Sequence, residues 1–184
     1  MFAPAHLIAL LWLAFAATWF SAALFTKRAR KHPSWATWVV RLAIVAVLVA
    51  ANLRFGPGGD TVQAAPRSWQ WVGALLSILG LGFAVWARIY LGRNWGMPMS
   101  LREGHELVTS GPYAHVRHPI YTGILLAMLG SALAVAFAWL WALGLFFVYF
   151  LYSAITEERM MSEQFPAAYP AYKARTRMLI PFLF

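Results

Sequence analysis

Long apolar runs, separated by short polar stretches, limit this chain to very few architectures. Segments 4–25, 35–53, 69–91 and 119–156 are dominated by Ala, Leu, Ile, Val, Phe and Trp. A helix that crosses a bilayer takes about 20 such residues. The runs are continuous rather than alternating, which excludes the strand spans of a barrel. Of the 184 residues, 61% are hydrophobic and 11% charged, with a mean hydropathy of +0.62. A water-soluble domain of this size has no use for so much apolar surface. The expectation is an all-α, polytopic integral membrane protein forming one domain over residues 1–184.

The runs divide into five transmembrane helices at about 4–25, 35–53, 69–91, 119–135 and 138–156. Residues 119–155 are too many for one span and few for two, so a tight turn near Ala134 to Trp139 is expected. Loop 92–118 is long for a compact protein, and long ordered loops usually carry function. Segment 158–180 reads as a C-terminal interfacial amphipathic helix. Met161, Phe165, Ala168, Tyr169 and Tyr172 supply its apolar face, and Pro166 and Pro170 break it.

Charge orients the spans. The first run has no basic residue before it, and Lys27, Arg28, Arg30 and Lys31 follow it, which is the flank of an anchor and not of a signal peptide. Segments 26–34, 92–118 and 156–184 hold eleven of the fifteen lysines and arginines, while the intervening outer loop holds only Arg54 and Arg67. The positive-inside rule then places these three segments in the cytoplasm, in a bacterium beneath the inner membrane. The net charge of +9 is explained by this asymmetry and by contact with anionic lipid, so no nucleic-acid partner is expected. Cysteine is absent and the five histidines form no HExxH pattern, so no metal site is expected.

Some residues carry a local reading. Arg41, inside the second run, is a functional candidate by depth but close enough to the interface to snorkel. Gly56 to Asp60 forms a turn. Trp69 and Trp71 anchor the third span at the interface, and Gly73, Gly80 and Gly82 permit close helix packing. Asn94 and Trp95 read equally as site or interface residues.

Polar chemistry gathers in the stretch 107–123, LVTSGPYAHVRHPIYTG. Gly111-Pro112 forces a turn, and Pro119 suits the first position of the next helix. His118 becomes its N-cap, with Arg117 just outside and Tyr121 on the same face. The first-turn N–H groups and the positive helix end then favour an anion beside Arg117 and His118. Taken alone the triplet Arg117-His118-Pro119 is ordinary helix-start chemistry. It stands, however, in a longer series. His105, Leu107, Val108, Thr109, Ser110, Gly111 and Tyr113 precede it; Tyr121 and Gly123 follow. One hairpin later come Glu157-Glu158, then Phe165, Tyr169 and Tyr172.

This series resembles the isoprenylcysteine carboxyl methyltransferase family and its relatives, the phospholipid N-methyltransferases. The resemblance covers roughly Leu91 to Pro181. It implies an S-adenosylmethionine-dependent methyltransferase. Carried over residue by residue, it implies cofactor contacts at His105, Glu106, Leu107, Val108, Tyr113, His118, Pro119, Ile120, Tyr121 and Glu157. The constellation suits such a cofactor. Arg117 and the Pro119 helix start match its carboxylate. Glu157 or Glu158 matches its ammonium or sulfonium, and the face of Tyr121 or Tyr113 supports the sulfonium. Leu107-Val108 and the Gly111 turn offer an apolar slot for adenine. There is no GxGxxG and no room for a Rossmann domain.

Arg117, His118 and Glu158 are the candidate catalytic residues. A carboxylate acceptor needs no general base; an amine or thiol would, and His118, His115 and Glu158 are the candidates. The prenylcysteine enzymes carry an arginine one helical turn before the glutamate pair, where this chain has Ser153. The acceptor is therefore read as a lipophilic or small molecule reached from the bilayer. A phospholipid or amine N-methyltransferase is the alternative on the same scaffold. A non-enzymatic small transporter or assembly factor is the alternative from another class, and it calls for polar mid-span residues, of which Arg41 is the one noted.

Overall fold

The computed structural model describes residues 4–26, 29–31, 66–96, 98–102, 104, 106–135 and 139–180, with 35, 38, 39, 42, 43 and 46 in addition. Most of the expected second span, Arg41, the turn at Gly56 to Asp60 and His105 lie outside the described residues. In chain order the elements are α1 (Pro4–Ala23), a short strand β1 (Ala29–Lys31), α2 (Arg67–Leu91), a 3-10 turn (Gly92–Asn94), β2 (Leu101–Arg102), a second 3-10 turn (Gly111–Ala114), α3 (Pro119–Ala134), α4 (Trp139–Gln164) and α5 (Tyr169–Arg175). The protein is an all-α membrane protein. Among the described residues α1, α2 and α4 are long and apolar enough to cross a bilayer, and α3 is apolar but 16 residues long.

The tightest packing joins α2 and α3, which run antiparallel. Small residues recur along the seam, Gly73, Ser77, Gly80 and Ala84 on α2 against Gly123, Ala127, Gly130 and Ala134 on α3. The backbones touch. A Cβ built on Gly80 would lie 2.5 Å from the carbonyl oxygen of Gly123 and 2.6 Å from the nitrogen of Ala127. Ser77 Oγ lies 3.0 Å from the Gly73 oxygen and 3.1 Å from that of Ala127, so its hydroxyl links the helices. Such contact replaces the hydrophobic drive that lipid does not supply between helices. Helix α1 joins through Trp12, whose Nε1 donates to Ser131 Oγ at 3.0 Å. Gly82, expected at the seam, is not there: a Cβ on it would meet nothing within 4 Å.

The helix ends explain where the chain turns. Gly92 closes α2 with φ +54, a conformation glycine takes at little cost. Helix α4 continues to Gln164, past the expected end near residue 156, because nothing in its sequence breaks it before Phe165-Pro166. The C-terminal amphipathic helix is shorter than expected. Pro170 does not break it but lies in its first turn, where proline lacks no bond.

The three segments read from charge as sharing one side do meet at one end of the bundle. Strand β1 pairs antiparallel with β2. Arg177 N donates to the His115 oxygen, and Arg117 N to the Arg177 oxygen. The α2–α3 seam predicts an asymmetry between Gly80 and Gly82, two residues apart and so on opposite faces of α2. Gly80→Val should overpack the seam and cost at least about 1–3 kcal/mol. Gly82→Ala should be neutral or stabilising by up to about 1 kcal/mol. Melting temperatures in detergent check both.

Candidate functional site

Charged groups from the start of α3, from α4 and from α5 meet at one end of the bundle. Arg117, just before α3, sends Nε to Glu158 Oε1 of α4 at 2.6 Å. Its Nη1 donates to the carbonyl oxygens of Thr176 at 2.6 Å and Lys173 at 3.3 Å. Lys173 of α5 completes the cluster, with Nζ 2.7 Å from Glu158 Oε2. Glu158 is 4% exposed and Arg117 8%. A carboxylate buried this far persists because two cations meet it.

Glu157, its chain neighbour, faces elsewhere. Successive helical residues point about 100° apart, so only one of the two can face α5. Glu157 Oε1 accepts from the Tyr121 hydroxyl at 2.6 Å and from the Met99 backbone N–H at 2.9 Å. Glu157 Oε2 lies 3.4 Å from His118 Nδ1, and His118 Nε2 lies 3.7 Å from Glu158 Oε1. His118 thus stands between the two carboxylates. Burial lowers its pKa, and the hydrogen bonds and charges of Glu157 and Glu158 outweigh that, so the net shift is upward. Its ring is stacked on Tyr121, with centroids 5.4 Å apart, and Tyr121 on Phe150 of α4 at 4.4 Å.

His118 is the N-cap residue of α3 by position, but its side chain makes no cap hydrogen bond. The C-terminal segment lies across the helix start instead. His118 N donates to the Met178 oxygen at 3.1 Å, and Thr122 Oγ1 to the Leu179 oxygen at 2.5 Å. Burial also raises the phenol pKa values of Tyr113 and Tyr172, the latter to about 12. Both remain protonated donors at neutral pH, and the Tyr172 hydroxyl donates to the Tyr113 oxygen at 2.8 Å.

A cavity of about 620 Å³ opens beside this network, within the range of small-molecule sites. Arg117, His118, Tyr121 and Glu157 belong to its polar lining, with Asn94 and Glu106. Ile120, Ile124 and Phe150 line it from α3 and α4, and Phe15, Trp19 and Phe20 from α1.

A family profile described as phospholipid methyltransferase matches residues 69–168. That span holds α2, the loop, α3, α4 and both glutamates. The chain belongs to the phospholipid methyltransferase family. Among curated relatives, the cobalt-zinc-cadmium resistance protein CzcN of Cupriavidus metallidurans is 35% identical over 146 residues, covering 76% of this chain and 62% of that protein. The nickel-cobalt-cadmium resistance protein NccN of Alcaligenes xylosoxydans xylosoxydans is 29% identical over 147 residues, covering 78% and 63%. The uncharacterized protein YpbQ of Bacillus subtilis is 37% identical over 65 residues, covering 35% and 38%. The chain therefore spans less than two thirds of the length of each.

Within this methyltransferase fold the expected site residues distribute unevenly. Glu106, Leu107, Val108, Tyr113, Arg117, His118, Ile120, Tyr121 and Glu157 all line the cavity. Pro119 is buried at the start of α3 without lining it. Glu158 does not line it either, and both its oxygens are engaged by cations. That removes it as a free general base. Arg117, expected to face the cofactor's carboxylate, is engaged by Glu158. The Tyr121 ring, expected to offer its face, is stacked on His118 and Phe150, and its hydroxyl donates to Glu157.

Sequence reasoning missed Met99, Lys173, Thr176, Phe150 and the aromatic residues of α1. Phe150 was within reach, since it precedes Glu157 by two helical turns and shares its face. Ser153 is fully buried, donates to the Tyr149 oxygen at 2.8 Å and does not line the cavity.

The His118 environment carries a pH dependence of known sign. A folded-state pKa above the unfolded value of about 6.5 means that His118 stabilises the fold fully below that pH. The contribution is lost as pH rises through the folded pKa. Melting curves from roughly pH 5 to 9 should therefore show an alkaline decline in the wild type that is reduced in His118→Asn.

Proposed function

We propose that this membrane methyltransferase-family protein uses S-adenosylmethionine to methylate a lipophilic or small acceptor reached from the bilayer. The observation that carries the reading is the Glu157 carboxylate, oriented by two donors at the edge of a largely apolar cavity. The donor set fits the cofactor: a fixed anion for its cationic groups, buried tyrosines, and the Leu107-Val108 wall for its base. When bound, S-adenosylmethionine supplies a methyl group activated by its sulfonium charge.

The protein's own part is positioning and exclusion of water. Glu157 holds a cationic group, and His118 and Tyr121 keep that carboxylate in place. Phe15, Trp19 and Phe20 close the apolar side, where α1 faces lipid over much of its length. Charge asymmetry puts this end of the bundle in the cytoplasm, with residues 1–184 acting as one domain of five spans.

The acceptor is not a prenylcysteine carboxylate held from the position of Ser153, whose hydroxyl is satisfied within its own helix. This favours, as a second reading on the same scaffold, a phospholipid or amine acceptor, as the family description has it. A transporter or assembly factor calls for polar mid-span groups facing a pathway. Arg88, buried near the end of α2 and unforeseen from sequence, does not serve that end. Its Nη1 and Nη2 donate to the carbonyl oxygens of Gly92 at 2.7 Å and Ala22 at 2.9 Å, and its guanidinium lies 4.7 Å from the Trp95 ring centroid.

Glu157→Gln tests the reading. Truncating the charge of a buried pair costs about 2 kcal/mol or more, so affinity for S-adenosylmethionine should fall at least about tenfold. Calorimetry on detergent-solubilised protein measures it, and unchanged affinity would remove Glu157 from the site.

A further inference from the structure

Met99 holds a backbone conformation that its residue type disfavours. Its φ is +61°, the one positive value among the described non-glycine residues. In the left-handed region a Cβ crowds the backbone, so glycine or asparagine is the usual occupant. Pro98 and Met99 occupy a turn. Proline followed by a residue of positive φ is the order of a type II turn, whose second central position ordinarily takes Gly or Asn. This chain places a methionine there and buries its side chain. Such conformers persist only where the surroundings over-determine them, and they cluster at functional sites.

What the turn achieves is visible at its amide. The Met99 N–H reaches Glu157 Oε1 at 2.9 Å, on the oxygen that also accepts from the Tyr121 hydroxyl at 2.6 Å. One donor comes from the loop after α2 and the other from the first turn of α3. They converge on a carboxylate carried by α4. The terminal torsion of a glutamate is broad and soft. Fixing one oxygen with two donors therefore fixes the direction of the other. Oε2 is the oxygen left, 3.4 Å from His118 Nδ1, and Glu157 lines the cavity.

We propose that the Pro98–Met99 turn is a positioning device: the amide of Met99 and the hydroxyl of Tyr121 pin Oε1 of Glu157, so that Oε2 alone is presented to a cationic group of the ligand. The inference rests on the reading of this cavity as the S-adenosylmethionine site. Its particular consequence is that affinity depends on the backbone conformation at residue 99 more than on the side chain there. Met99 is a positioning residue and touches no reacting atom.

The test compares Met99→Gly with Met99→Val. Glycine loses more packing but keeps the left-handed conformation at little cost, whereas a β-branched residue resists it. Calorimetry with S-adenosylmethionine should find Met99→Val weaker than Met99→Gly by about tenfold or more, the scale of such backbone strain. In a Glu157→Ala background the ratio should shrink to about twofold or less, because the two sites are coupled through one hydrogen bond. Equal affinities of the two variants, or a ratio that survives Glu157→Ala, would overturn the proposal. A second readout needs no ligand. The Met99 amide proton of ¹⁵N-labelled protein should resonate downfield, and move upfield in Glu157→Ala. If the wild type binds no S-adenosylmethionine, the site reading fails. The pinning of the carboxylate is then decided by that resonance, and one unmoved by Glu157→Ala refutes it.

Discussion

A carboxylate buried at the end of a membrane helix is costly unless cations and donors meet it at close range. Glu158 is such a group, and its two closest cations come from different parts of the chain. Arg117 precedes α3, Lys173 belongs to α5, and the carbonyl of Thr176, held by Arg117, begins the C-terminal segment. The pair therefore does more than neutralise itself. It fixes the end of α4 against the start of α3 and draws the C-terminus across both. His118 and Glu157 take their places relative to that anchor. Loss of Glu158 would leave the Arg117 guanidinium buried without its carboxylate, and breaking such pairs is strongly destabilising.

The seam between α2 and α3 sets the other limit. With glycine at 73, 80, 123 and 130 the two backbones meet directly. Little side-chain volume is spent between them, and the aromatic bulk of α3 and α4, Tyr121 and Phe150, stands beside the cavity instead. The seam also brings the loop after α2 to the start of α3. Gly111, at φ +59, lies against the ring of Tyr90, so the turn before Tyr113 rests on the end of α2. Close packing in one place thus leaves a shaped space in another. The geometry around Glu157 follows from that division: α4 and α3 carry Glu157 and Tyr121, and the loop after α2 supplies the last donor.

Much of this was legible in the sequence, for identifiable reasons. Spans are read from length and polarity, and bilayer thickness gives those a fixed scale. Pro119 marked the start of α3, and residues of the motif around it line the cavity. What escaped was helix phase. Glu157 and Glu158 look equivalent in a string of letters, yet one faces the cavity and the other α5. Nothing short of the orientation of α4 distinguishes them. Gly82 failed for the same reason, lying on the face of α2 away from α3. Pro170 was misread because proline both ends helices and begins them. Arg88 escaped because the end of a span looks like its flank. The Met99 amide carries no side-chain signature at all, and only the order Pro98-Met99 hints at a turn.

On the proposed reading, S-adenosylmethionine binds in the space beside Glu157, His118 and Tyr121. Ultraviolet cross-linking of radiolabelled S-adenosylmethionine to the detergent-solubilised protein, followed by peptide mapping, addresses it directly. Saturable labelling, competed by unlabelled cofactor, is expected on peptides that contain residues 91–124 or 150–172. Saturable labelling confined to α1 upstream of Phe15, or no saturable labelling at all, would contradict it.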